Sequence, residues 1–400
     1  MIPSWYICFT DEDQQYLRDN FLDREVSVQI RFESITSLLV ADILQDSSNA
    51  QLVCSCLKKL LERDFSALLA YISGTIGSAT SNAFLQLLVS IPDRLANTLQ
   101  KLTPDEFLPT NYYDSLLKRT LSYLNTNNQE KDFSCASSLI SKLCKLGYSL
   151  QFVKVSLEYS PESMAKLLHN LPENLLESIV YYLLLELSKS SVEEASKSLV
   201  NILRNEIPTK SLQYIFTQKL FITKIFKKQT TVLLCYFLKQ VSLTYSTIEQ
   251  YTIPSILANI VNIWSDSLFI KNSSLSQQQN ISYCIIELLK YVNKEDLLAS
   301  QLVPKLIQGV QLRLESPQFP VRNQGMNVAA VFSTIIDPSN PLKFDEMIPD
   351  IHAESAEEEV VAKENKSQEV PKDNPKDVPA KKIRKPKKGN IRPLKNLIAR

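Results

Sequence analysis

Apolar residues recur at spacings of three and four through most of residues 11 to 336, as in Leu116, Leu117, Leu121 and Leu124, and again in Ile256, Leu257, Ile260, Val261 and Trp264. That period gathers apolar side chains on one stripe of a helix. Prolines punctuate the pattern at helix-length intervals, at Pro92, Pro104, Pro109, Pro161, Pro172, Pro208, Pro254, Pro304, Pro317 and Pro320, and each is expected to bound an element. At about 17 residues for each helix with its turn, the body should hold roughly eighteen to twenty helices. One stretch departs from the period: VSVQIRF, residues 26–32, alternates every second residue and allows a strand, although Ile35, Leu38, Leu39 and Ile43 return to helical spacing.

Composition narrows the fold. Only 6 glycines occur in 400 residues, against a usual share of ~7%. Mononucleotide folds and β-barrels need glycine for turns with positive φ and for close backbone approach to phosphate, so the depletion favours helices joined by short polar or proline turns. The expected class is all-α: an α-solenoid of HEAT-like helical repeats, each buried by its neighbours, with a disordered C-terminal tail. Along the chain this gives an N-terminal helical segment at 1–83, the solenoid at 84–344 and the tail at 345–400.

The last apolar run, VRNQGMNVAAVFSTIIDPSNPLKF at 321–344, closes the solenoid. Val328, Ala329, Val331, Phe332 and Ile335 should form its buried face. Gly325 costs about 1 kcal/mol of helix propensity against alanine, so it is expected to mark a close approach to the preceding helix. Pro338 and Pro341 end the run, with Leu342 and Phe344 predicted to cap the core.

Charge changes the picture only beyond this point. The chain carries a net charge of +1, but residues 345–369 hold 9 acids and 2 lysines, whereas 370–400 hold 11 bases and 2 acids. The tail is thus acidic, then basic. Its lack of aromatics, its prolines at 349, 371, 375, 379, 386 and 393, and the absence of a sustained apolar period predict disorder.

The inventory of reactive groups is thin. Seven cysteines, Cys8, Cys54, Cys56, Cys135, Cys144, Cys235 and Cys284, scatter through apolar stretches without an even framework and read as reduced core thiols. Cys54 and Cys56 lack the two-residue gap of a zinc or redox pair. His169 is the body's single histidine and is expected on the surface near a helix end. GTIG at 74–77 lacks the Lys-Ser/Thr of a phosphate loop and reads as a helix-ending turn. Asn272 and Asn280 head sequons that read as chance matches, since MIPSWYICFTDEDQQ has neither a signal nor a transit pattern. No uncharged run reaches the ~18 apolar residues of a membrane span. No catalytic site, metal, cofactor or membrane association is expected.

Two tail segments carry signals. Ser355 has Glu357, Glu358 and Glu359 at +2 to +4, which suits an acid-directed kinase, and phosphate would add about −1.5 to −2 charge. The run KKIRKPKK, with Lys381, Lys382, Arg384, Lys385, Lys387 and Lys388, suits a nuclear import receptor or salt-sensitive contact with nucleic acid phosphates.

Three ordered stretches resemble the telomere length regulation protein family: SIPDRLANTLQ…FLPTNYYDSLL (90–117), YIFTQKLFITKIF (214–226), and the region from NIWSDS at 262 through QQQNIS at 277 to the 321–344 run. The resemblance covers about residues 84–344. It implies a non-enzymatic co-chaperone that joins two other helical-repeat proteins in the TTT complex and binds newly made phosphatidylinositol-3-kinase-related kinases. These pass to the ninety-kilodalton heat-shock chaperone through an adaptor complex, supporting target-of-rapamycin signalling, DNA-damage checkpoints and telomere maintenance in cytoplasm and nucleus. In the family a casein-kinase-phosphorylated acidic motif recruits the adaptor; Ser355 is its positional match, with Ala356 departing at +1. Family members continue into a second helical domain, whereas this sequence reads into a basic tail. The alternative expectation is a chromatin or telomeric DNA binding protein acting through that tail.

Overall fold

The computed structural model describes residues 27–37, 39 and 47–345. Among them every regular element is helical, and no helix is long and apolar enough to cross a membrane. The chain divides into two contact units, Met1–Ile351 and His352–Arg400; the second lies outside the described residues, as do Ser355, Glu357, Glu358, Glu359 and the basic cluster Lys381–Lys388. The alternating stretch at 26–32 is a correction: Val28–Ser37 is a helix. Phe32, Ile35 and Leu39 are buried, a spacing of three and four that secures an apolar stripe, and among the described residues no strand is present for the alternation to pair with.

Helices alternate between two layers. One runs through Pro109–Thr126, Ser149–Tyr159, Glu173–Leu187, Ile253–Trp264 and Leu302–Leu314. The other runs through Glu130–Lys145, Pro161–His169, Val192–Leu203, Lys228–Thr244, Leu275–Leu289 and Phe319–Ile336. Within the second layer each of these helices packs on the next, so each repeat closes its neighbour's apolar face. The N-terminal helices share the same core: Phe84, inside the helix Ala79–Leu99, stacks 6.0 Å from Phe32 and meets Tyr71 edge-on at 5.6 Å.

Most prolines act as boundaries. Pro109, Pro161, Pro254 and Pro320 sit in the first turn of their helices, where no intrahelical partner is lost. Pro92 instead lies inside Ala79–Leu99, correcting its assignment as a breaker. Lacking an N–H, it leaves the Leu88 carbonyl without its helical donor. Tyr112 of the following helix donates its hydroxyl to that oxygen at 2.9 Å, while Tyr113 donates to Val89 O at 2.8 Å. Tyr112→Phe should therefore lower stability by about 1–2 kcal/mol, because it orphans a buried acceptor. Tyr113→Phe should cost less, since Val89 O keeps its helical donor. Denaturant midpoints for the two variants check the ranking.

Gly325 behaves as its position suggests. A Cβ there would lie 2.9 Å from Arg313 Cβ on the preceding helix. Val328, Ala329 and Phe332 are buried, and Val331 and Ile335 half-buried. Leu342 does not cap the core: its side chain is exposed, and its N–H binds Ser333 Oγ at 2.8 Å.

Candidate interaction surface

Cys54 and Cys56 are buried, as is every other cysteine among the described residues. Burial pushes the Cys54 thiol up to about 11 and Cys135 to about 12, so both stay protonated and unreactive near neutral pH. His169 ends the helix Pro161–His169 with its side chain 71% exposed, and its Nδ1 lies 2.9 Å from Glu206 Oε1. Gly77 takes a positive φ of 86° in the turn after Gly74. Asn280 is buried and fully used in packing. Among the described residues no group of three His, Cys, Asp or Glu is placed to hold a metal.

What the fold does build is a fixed basic strip. The chain leaves the helix Lys210–Tyr214 through a π-helical turn, Ile215–Lys219, then a short helix, Leu220–Thr223, before an extended link. That link is tied to the next repeat. Phe226 N–H donates to Asn280 Oδ1 at 2.9 Å, Asn280 Nδ2 donates to Lys224 O at 3.1 Å, and Gln277 Nε2 donates to Ile222 O at 3.0 Å. Phe226 is buried against Tyr181, with ring centres 5.7 Å apart, while Ile225 points outward.

The segment runs along Glu173–Leu187. Glu177 binds Lys219 Nζ at 2.6 Å, Thr223 Oγ1 at 3.0 Å and Lys224 Nζ at 3.8 Å. Burial works against the Glu177 charge, but the hydrogen bonds from Lys219 and Thr223 and the charges of Lys219 and Lys224 outweigh it, holding the carboxyl below its usual range. Lys224 also covers the Tyr181 ring at 4.9 Å. Further along, Glu186 meets Lys189 at 2.6 Å and Lys154 at 3.9 Å. Ser188 and Thr230 hydroxyls, 3.0 Å apart, join this end to the next helix, at whose start stand exposed Lys227 and Lys228 with no acid in the first turn. Cations there add to the positive helix N-terminus. No sequence window contains this strip; the run KIFKK was its one local signal.

A second feature fixes the C-terminal repeats. Trp264, fully buried, donates Nε1–H to Ser282 Oγ at 2.8 Å. Arg313, also fully buried, stacks its guanidinium 3.8 Å from that ring and donates Nη1–H to Trp264 O at 2.6 Å and Gly309 O at 3.3 Å. Trp264 is the last residue of its helix, so Arg313 satisfies one of the carbonyls a helix end leaves open, where a cation is favoured. Gly309 makes the approach feasible, since a Cβ there would fall 2.2 Å from the indole.

A two-layer helical array with bonded joints and an exposed charged strip defines a helical-repeat scaffold. A family model described as the TELO2 ARM repeat domain matches residues 115–353, over half of the chain, and the chain belongs to that telomere length regulation family. Among curated relatives, the Telomere length regulation protein TEL2 homolog of Xenopus laevis is 27% identical over 278 residues, covering 65% of this chain and 32% of the relative. The Homo sapiens and Mus musculus proteins of the same description are 26% and 25% identical, each covering 64% of this chain and 32% of the relative. The chain thus spans about a third of their length. The crystal structure of Kap121p aligns with a TM-score of 0.27 at 12% identity, over 82% of this chain and 42% of that one, too low a score to bear on the fold.

Proposed function

We propose that the chain is a non-enzymatic scaffold in telomere length regulation, acting as the helical-repeat part of a TTT-type co-chaperone. The observation that supports this reading is the family match over 115–353, laid on helical repeats whose described groups are spent on packing rather than on an exposed reactive set. A repeat array offers a long surface held by neighbour contacts, which suits holding large clients without chemistry. Its partners on this reading are two other helical-repeat TTT subunits and phosphatidylinositol-3-kinase-related kinases, with the ninety-kilodalton heat-shock chaperone and its adaptor complex downstream. The work would fall in cytoplasm and nucleus.

Affinity purification of the full chain, of residues 1–344 and of Ser355→Ala tests both levels. The full chain should retain the TTT subunits or a large kinase at gentle salt; recovery of neither overturns the scaffold role. Adaptor recovery should fall in the truncation and in Ser355→Ala. If the serine variant keeps the adaptor in cells with active casein kinase, Ser355 is not the recruiting residue.

A further inference from the structure

We propose that Ser316 is a phosphorylation site for a proline-directed protein kinase, and that Arg322 receives the phosphate and clamps the turn between Leu302–Leu314 and Phe319–Ile336. The sequence holds three Ser/Thr-Pro steps, Thr103-Pro104, Ser160-Pro161 and Ser316-Pro317. The fold separates them. Thr103 is buried, and its hydroxyl donates to Gln100 O at 2.8 Å. The Ser160 hydroxyl donates to Ser163 Oγ at 2.8 Å and accepts from Ser163 N–H as the cap of Pro161–His169. Of the three, only the Ser316 hydroxyl donates to no described residue; its Oγ accepts from Gln318 N–H at 3.3 Å.

The segment around Ser316 suits a kinase groove. Residues 315–318 lie between two helices; Ser316 is half-buried, and Glu315, Pro317 and Gln318 are exposed. Reshaping these four residues unfolds no helix and uncovers no core side chain. Proline after the target suits a groove with no acceptor at that point, because it brings no N–H to leave unsatisfied. The Ser316 oxygen attacks the γ-phosphorus of ATP, and the new Oγ–P bond forms as the bond to the β–γ bridging oxygen breaks. ADP leaves with that electron pair, and the hydroxyl proton passes to the aspartate of the kinase.

Arg322 is held against the serine itself. Its Nη1 donates to Ser316 O at 3.1 Å and to Pro317 O at 3.0 Å, which uses both protons of that nitrogen. Nε and Nη2 bond to no described residue, and their two parallel N–H groups fit two oxygens of one phosphate. The guanidinium also lies 5.6 Å from the Phe319 ring, so packing as well as hydrogen bonding fixes it. Phe319–Ile336 has no acid in its first turn and no side-chain cap; the phosphate adds about −1.5 to −2 charge beside it. Glu315, the single acid between residues 311 and 325, is exposed to solvent, which screens its repulsion. Ser316 N–H donates to Arg313 O at 3.0 Å, so the clamped turn is tied at its other end to the Arg313–Trp264 joint.

The test incubates the purified full chain with ATP and a mitogen-activated protein kinase and locates phosphate by peptide mass spectrometry. Ser316 should be modified about tenfold faster than Thr103 or Ser160, whose hydroxyls must first be freed by local opening. Two readouts on the modified chain then test the clamp. By phosphorus NMR, the second ionisation of the phosphate, ordinarily at ~6, should fall in the parent chain, because a cation favours the dianion, and return towards that value in Arg322→Gln. Exchange of the Val321 and Arg322 amides, which bond Gln318 O at 3.1 Å, should slow about fivefold on phosphorylation of the parent and less than about twofold in Arg322→Gln. Each chain is compared with its own unphosphorylated form, so weakening of the turn by the substitution itself cancels. No phosphate on Ser316, or a faster reaction at Thr103 or Ser160, overturns the site. A phosphoserine with the same ionisation and exchange in the parent and Arg322→Gln overturns the clamp. Both results are independent of whether the TTT subunits are recovered.

Discussion

Gly309→Ala is expected to destabilise the C-terminal repeats by about 1–3 kcal/mol, although the substitution improves helix propensity by about 1 kcal/mol. Two carbons of the Trp264 ring would lie 2.2 and 2.3 Å from the new Cβ, and Ser265 Cβ 3.2 Å. Relief requires the indole to move, and it is held on three sides: Nε1 is bonded to Ser282, one face carries Arg313, and the ring is fully buried. Overpacking therefore outweighs propensity. In a repeat array the damage stays local, so hydrogen exchange should rise in Ile253–Trp264, Leu302–Leu314 and Phe319–Ile336 while Glu130–Lys145 is unchanged. Gly74→Ala is the internal comparison. Its Cβ would meet nothing within 4 Å, and it should be neutral or slightly stabilising. Greater protection in Gly309→Ala than in the parent would refute the packing account.

Those joints also mark where sequence ceased to be enough. The layers were legible because burial at spacings of three and four is local, and the glycine shortage removed the competing classes. Gly325 was legible for a related reason: a costly residue within an apolar helix has few explanations besides close approach. Pro92 was not, because the donor that tolerates it, Tyr112, lies twenty residues away on another helix. Arg313 looks like a surface residue in LIQGVQLRL; only the fold brings it under Trp264, 49 residues earlier. The basic strip is scattered between Lys154 and Lys228 and exists only because the repeats lay three elements side by side. The tail residues that did stand out, Ser355 with its glutamates and Lys381–Lys388, lie outside the described residues, so the structure adds nothing to them.

Arg313 provides the sharper energetic test, because large opposing effects meet on one side chain. Burial pushes its guanidinium down to about 9, so at pH 7 the fold holds a charge it disfavours. Nε and Nη2 have no hydrogen-bond partner among the described residues, and no carboxylate is bonded to the group. Against that cost stand the bond to Trp264 O, worth about 1.5–3 kcal/mol for a charged donor, the indole face at about 2, and the helix C-terminus at up to about 2. Desolvation of a buried ion is several kcal/mol, so the two sides nearly cancel. Arg313→Met, which keeps the volume and removes the charge, should therefore change stability by less than about 1.5 kcal/mol. Arg313→Ala should cost about 3–5 kcal/mol, since it opens a void beneath Trp264 and strips the helix end of its donor. Hydrogen exchange over Ile253–Trp264 measures both. Equal large losses in the two variants would mean that the guanidinium's bonds outweigh its burial, and that this joint is held by charge rather than by volume.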